Sequence, residues 1–334
     1  MIETVLGPIP ADLLGATSMH DHVLADSSSL QHPGAPSAPD LDRIDVKSLG
    51  YLRWNALASA DNLRLDDEDT AVAELLAAGR SGLRAIVDCS SWGLGPQHAA
   101  YPRLSRDSGV TIVSAYGAYI PRTVPGWIAQ LTEAELEEHL FTALTVAIPG
   151  TSFRAGMLGI MGTTGDFAPR ERVQLRAAAR AASRAGASVS VRLDPESRNG
   201  LEVLDLIARA GLALDRVVLT NADEYPDAAY WADLVAAGAV LEMCFGTEQV
   251  HDGRMDNPSD RERLAFFAGA AERHPDARLV LGESVWTKMQ LRAFGGYGFG
   301  YLLERIVPEL LRRSLDAARL ERMLVDEPRR LLDR

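Results

Sequence analysis

Eight short runs rich in Val, Ile, Leu and Ala recur along the chain, separated by longer Ala/Leu/Arg-rich runs of helical period. This alternation specifies repeated βα units, and hence a parallel sheet covered by helices. The strand candidates are TSMHDHVL (17–24), LRAIVDCS (83–90), TIVSAYGAY (111–119), AGMLGIMG (155–162), ASVSVRL (187–193), RVVLTNA (216–222), AVLEMCFG (239–246) and RLVLGES (278–284). Helices are expected over 70–80, 98–108, 132–147, 169–185, 200–211, 226–237, 259–273 and 300–313, several opened by capping-type residues such as Asp69 or Thr132. Eight units in series with no polar linker favour one α/β domain over 1–334, a (β/α)8 TIM barrel, rather than two average domains.

Residues 25–65 interrupt the pattern with the Ser/Pro/Gly-rich stretch SSSLQHPGAPSAPD. An insertion after strand 1 lies at the C-terminal face of a barrel, where active sites are built, so this segment reads either as a lid or as a disordered loop. The glycines of GGYGFG (295–300) suggest a mobile loop after strand 8. A formal charge of -12 opposes nucleic-acid binding, which needs a cationic footprint. The longest apolar runs fall short of a membrane span, and MIETVLGPIPADLLG lacks the features of an export signal, so a cytoplasmic protein without membrane attachment is expected. Cys89 and Cys244 show no CxxC spacing, which fits a reducing compartment. The only lysines are Lys47 and Lys288.

The most suggestive short motif is His20-Asp21-His22 at the end of strand 1, because alternate residues on a strand share a face and two such imidazoles can hold one ion. The surrounding VLGPIPADLLGATSMHDHVL resembles the opening of phosphotriesterase-like proteins of the amidohydrolase superfamily. The similarity continues through DCSSWGLGPQHAAYPRLSRDSGVTIVSAYGAY, RAGMLGIMGTTGDFAPRERVQLRAAARAASRAGASVSV and RVVLTNAD to LVDEPRRLLDR, essentially the whole chain. It implies the barrel fold and a homodimer. It also implies a pattern of two divalent ions held by the HxH pair, a carboxylated lysine on strand 4, histidines on strands 5 and 6 and an aspartate on strand 8.

This chain departs from that pattern. Gly159 falls at the lysine position, and Arg192 and Asn221 match the two single histidines. Strand 8 offers Ser284 in an ungapped match or Glu283 after one deletion; Glu283 is preferred because it keeps an acid at the strand end and aligns Trp286 with an aromatic found just beyond. A protonated guanidinium at 192 opposes a second cation, so a binuclear centre and any other cofactor are not expected. The alternative is a weak or mononuclear zinc site on His20, His22 and Glu283.

His20, His22, Arg192 and Glu283 are accordingly the expected catalytic set. The histidines would titrate near neutrality as base or acid, Arg192 would anchor an anion or oxyanion, and Glu283 would serve as the second proton-transfer group. Asn221, Trp92, Tyr119, Asp194 and Trp286 are expected at the substrate. Cys244 reads as a nucleophile or a core thiol, and Lys288 as an anion contact or a solvated loop lysine. The expected function is metal-independent acid-base chemistry on a small anionic substrate: hydrolysis, elimination, isomerisation or cyclisation, fitting a specialised biosynthetic pathway. The alternatives are a mononuclear zinc hydrolase of esters, lactones or phosphotriesters, and a non-catalytic binding barrel.

Overall fold

The computed structural model describes residues 1–37 and 41–334. Eight strands form one parallel sheet in chain order: β1 (Thr17–Asp21), β2 (Ala85–Asp88), β3 (Thr111–Tyr116), β4 (Met157–Gly162), β5 (Val189–Arg192), β6 (Val217–Thr220), β7 (Val240–Cys244) and β8 (Leu279–Gly282). The residues just past β8 return to β1, since Glu283 and Ser284 both donate backbone N–H groups to the His20 carbonyl, at 3.2 and 2.8 Å, and His22 donates to Val285 at 2.9 Å. These bonds bring the two sheet edges together and make the expected TIM barrel.

The helices follow the expected order: α1 (Glu68–Arg80), α2 (Tyr101–Ser108), α3 (Glu133–Thr145), α4 (Pro169–Ala185), α5 (Gly200–Arg209), α6 (Ala228–Ala236), α7 (Asp260–Arg273) and α8 (Val307–Arg312). Their starts are set by local chemistry. Thr132 and Glu135 form a reciprocal capping box ahead of α3, as do Ser259 and Glu262 ahead of α7. Among the described residues no helix is long and apolar enough to cross a membrane.

Period-two alternation divides the strand side chains into two layers. Leu241, Leu279 and Leu281 face outward onto the helices, in one core with Leu75, Leu104, Leu140 and Phe267. Val87, Val113, Val218, Val240 and Val280 fill the barrel, and Ile2, Leu331 and Leu332 pack into this same interior cluster. β4 breaks the rule. Its pairing with β5 runs from Leu158–Val189 to Met161–Val191, three residues against two, and this bulge resets which side chains face inward.

The insertion after β1 is built into the fold where it is described. Ala25–Asp26 pairs with Arg64–Leu65, a short helix covers Leu49–Leu52, and Lys288 clamps the segment from the β8 side through Asp61 at 2.7 Å and Asp66 at 3.4 Å. Lys288 is therefore an ion-paired strut, not an anion contact of the cavity. Part of the stretch first read as lid or loop, residues 38–40, lies outside the described residues. The glycines of 295–300 serve close packing: a Cβ on Gly296 would fall 2.2 Å from the Gln290 backbone.

Candidate active site

At the C-terminal mouth of the barrel opens a cavity of about 970 Å³, lined at its base by His20, His22, Ile160, Arg192, Asn221 and Ser284, with Tyr119, Asp194 and Trp286 also in its walls. This is where the βα loops of a barrel place chemistry.

His20 on β1 and His22 just past its end flank Asp21, so the imidazoles share the inner side while Asp21 turns away. The Asp21 carboxylate accepts from Ser18 Oγ at 2.5 Å and from the Val285 N–H at 3.0 Å, adding a side-chain tie between β1 and the end of β8. The two Nε2 atoms lie 3.3 Å apart. On the far side, His20 Nδ1 lies 3.1 Å from Glu242 Oε2, and His22 Nδ1 lies 3.1 Å from Ser90 Oγ. Glu242, His20, His22 and Ser90 thus form a continuous chain of hydrogen-bonding groups. Both histidines are buried, at 1% and 4% exposure.

Burial first, and then the Arg192 charge, lowers His20 to about 3. Burial and the neighbouring His20 hold His22 well below the ordinary imidazole range. The expectation that they titrate near neutrality is corrected on this ground: burial favours the neutral imidazole at both positions. Burial, reinforced by Asp223, pushes Glu242 well above the usual carboxylate range.

Room for the His20–Glu242 contact comes from Gly282. A Cβ there would meet Glu242 Oε1 at 2.8 Å and His20 Cβ at 3.0 Å.

Arg192 ends β5 and projects into the cavity wall, 26% exposed. Its Nη2 donates to Glu224 Oε2 at 2.5 Å, while Asn221 Nδ2 donates to Glu224 Oε1 at 3.3 Å. Burial opposes the guanidinium charge, but the Glu224 carboxylate outweighs it and drives the pKa upward, so the cation is permanent. Asn221 adopts the left-handed backbone region (φ 54°), which suits asparagine, and its Oδ1 is buried with no partner.

Several expectations are corrected by this geometry. Glu283 is absent from the cavity lining: its Oε1 accepts from the Leu302 N–H at 3.0 Å, and the donor atoms that converge with His20 are those of Glu242 and Cys244. Ser284, at φ 48°, lines the cavity in its place. On strand 4 the cavity-facing residue is Ile160, while a Cβ on Gly159 would press on Ser190, 2.8 Å from its carbonyl oxygen. Trp92 donates from Nε1 to Tyr116 Oη at 2.8 Å and packs on Trp127, away from the cavity lining. Cys244 is fully buried 3.5 Å from His20 Nδ1 and raised far above a reactive thiol by burial, which leaves it a core residue. The residue that sequence reasoning missed is Glu242. Its signal was present, because Val240, Glu242 and Cys244 alternate on one strand and valine at 240 marks that face as interior.

The donor set can be tested against a binuclear centre. Beside the two histidines, strands 4, 5 and 6 and the end of strand 8 offer an isoleucine, a guanidinium, an amide and a hydroxyl where four further ligands would be required, and of the carboxylates in the lining Glu224 is already engaged by Arg192 and Asn221. Neither aliphatic nor guanidinium groups bind cations, so the residues do not fit two ions. Among the described residues, His20, Glu242 and Cys244 form the one group of three whose donor atoms converge, within 4.8 Å of one another. Glu242 and Cys244 are fully buried and absent from the cavity lining, so an ion there would be enclosed by protein rather than open to substrate.

Comparison with known proteins agrees with this architecture. The model of the phosphotriesterase family matches residues 1–332. An N-acetyltaurine hydrolase of Danio rerio is 28% identical, the alignment covering 99% of this chain and 97% of the relative. A resiniferatoxin-binding protein from Rhodobacter sphaeroides superposes with a TM-score of 0.94 at 32% identity, over 99% of this chain and 94% of that one. The phosphotriesterase homology protein from Escherichia coli, solved with phosphate in its active site, superposes at 0.78 with 23% identity, over 96% and 100%, and shares the fold.

Proposed function

The chain belongs to the phosphotriesterase family, and from that premise we propose that it is a metal-independent enzyme that binds a small anionic molecule at Arg192 and transfers protons through the His20–His22 pair. It is a barrel of a hydrolase superfamily whose binuclear metal site is incomplete. The observation that carries the proposal is Arg192, a permanent cation in the cavity wall. Among the described residues Nη2 is the one atom of its fork in a hydrogen bond, to Glu224, which leaves donors for a carboxylate, sulfonate or developing oxyanion.

Burial and the Arg192 charge hold His20 neutral. A bound anion offsets that charge and favours the imidazolium, which Glu242 Oε2 supports from Nδ1. His20 thereby gains basicity only when substrate is present, and the short contact to His22 Nε2 lets the proton move along the pair. Asn221 and Ser284 supply neutral hydrogen-bonding groups at the same base, while Tyr119, Asp194 and Trp286 shape the entrance. Hydrolysis of an acyl bond is the first reaction to assay, since relatives are named as N-acetyltaurine hydrolases; elimination, isomerisation and cyclisation need the same proton transfers. Cytoplasmic location, which two cysteines without CxxC spacing fit, and homodimeric assembly, which rests on the resemblance, belong to the same proposal.

The test is metal content per chain after purification without added metal or chelator, repeated after incubation with excess zinc and desalting. Near-zero metal in both samples, with turnover unaffected by chelator, is expected. About one zinc or more per chain, with activity lost to chelator, would overturn the proposal in favour of a mononuclear hydrolase.

A further inference from the structure

Beside the main cavity lies a second one of about 810 Å³, formed where the insertion after β1 meets the hairpin Val250–His251/Met255–Asp256. The two cavities share Glu196, Gly253, Arg254, Met255 and Asp256 in their walls, so they are adjoining compartments of one tract. The walls are fixed to each other: Ala56 donates its N–H to the Val250 carbonyl at 3.0 Å, Leu57 donates to His251 Nδ1 at 3.1 Å, and Arg254 Nη2 contacts His32 Nε2 at 2.9 Å. Inside this second compartment the chemistry changes. Tyr51, Trp54, Val250 and Met255 provide apolar surface, and Trp54 is 69% exposed. Trp54 does not stand alone there: with Tyr51, Val250 and Met255 it gives one compartment an apolar lining, a surface that a flat uncharged group fits. Glu196, Asp252 and Asp256 outnumber Arg254 in the lining of this compartment, which holds neither Arg122 nor Arg192, and this excess disfavours a second anionic group there.

We infer that the substrate is bipartite: an anionic head at Arg192, and an uncharged aromatic tail that crosses the Arg254 wall and lies on Trp54. The head half rests on the function proposed above, whereas the tail half rests on the rim compartment alone. The rim selects for tail length and flatness, and Trp54 is a specificity-determining residue that takes no part in proton transfer.

An ω-phenylalkanoate series tests this by isothermal titration, from phenylacetate through 4-phenylbutyrate to 8-phenyloctanoate, on the wild-type full chain, Trp54→Ala and Arg192→Met/Glu224→Gln. Affinity in the wild type is expected to rise about tenfold or more once the linker spans the wall. Trp54→Ala should erase that gain and leave phenylacetate binding unchanged; because Trp54 is exposed, folding is not at stake. A flat length series in the wild type, or a gain that survives in Trp54→Ala, overturns the rim assignment. Phenylacetate binding that persists in the Arg192/Glu224 double variant would instead overturn the head assignment, and a Trp54-dependent length gain would still uphold the rim.

Discussion

Replacing Arg192 by methionine separates the structural role of this residue from its role toward ligand. In the wild type the Glu224 carboxylate, 4% exposed, accepts from Arg192 at 2.5 Å and from Asn221 at 3.3 Å. Removing the guanidinium strands that carboxylate with one long neutral contact. Breaking a fully buried pair in this way costs about 3–5 kcal/mol, and the partial exposure of Arg192 reduces the figure to ~2–3 kcal/mol. With a urea m-value of about 3 kcal/mol/M, the unfolding midpoint of Arg192→Met should fall by nearly ~1 M. Adding Glu224→Gln removes the stranded charge and should recover most of the loss, a coupling of ~2 kcal/mol in a double-mutant cycle read by urea unfolding followed by far-UV circular dichroism. Single-variant effects that add to within ~0.5 kcal/mol would refute the reasoning, because they would show that the pair does not act as a unit. The double variant then serves as a folded chain without the Arg192 charge, with Arg122 and Arg254 left in the lining.

Two further predictions concern packing and protonation. Gly282→Ala places a methyl against Glu242 Oε1 and His20 Cβ, and should cost ~1–3 kcal/mol by overpacking; unchanged thermal stability would mean that His20 and Glu242 do not meet there. Burial pushes Asp260 from 3.8 up to about 6 against the opposing pull of Arg263. The folded chain therefore holds this proton after the unfolded chain has released it, so stability falls as pH rises through that window, by up to ~3 kcal/mol from this group. Asp260→Asn should flatten the unfolding free energy between pH 4 and 6 relative to wild type, and an identical pH slope in the two proteins would refute the assignment.

The barrel was legible because its signals are local and repeated. α4 occupies the expected 169–185, since Pro169 opens it and Gly186 closes it in the left-handed conformation. The HxH pair and Arg192 were legible too, as strand ends in a barrel converge on one mouth. What escaped was register. The β4 bulge adds one residue against β5, so Ile160 lines the cavity next to Gly159, the residue that the resemblance sets at the lysine position. At the end of β8 the positive φ of Ser284 turns that residue inward, whereas preference for an acid had favoured Glu283. Glu242 was passed over because an acid inside a valine-lined strand contributes only through a partner from another strand, and no local pattern announces the partner. Trp92 illustrates the opposite error: an aromatic near a strand end was assigned to substrate, yet its indole N–H is bonded to Tyr116.

Arg192 also bears on how such a protein is supplied. A catalytic ion has to be captured from solution, competes with other ions for its ligands and is lost again by dilution or acid. A guanidinium is made with the chain and cannot dissociate from it. Every molecule that folds carries its cavity charge from the first moment, whatever metals its surroundings contain, and the charge is passed on as a codon rather than gathered as a nutrient.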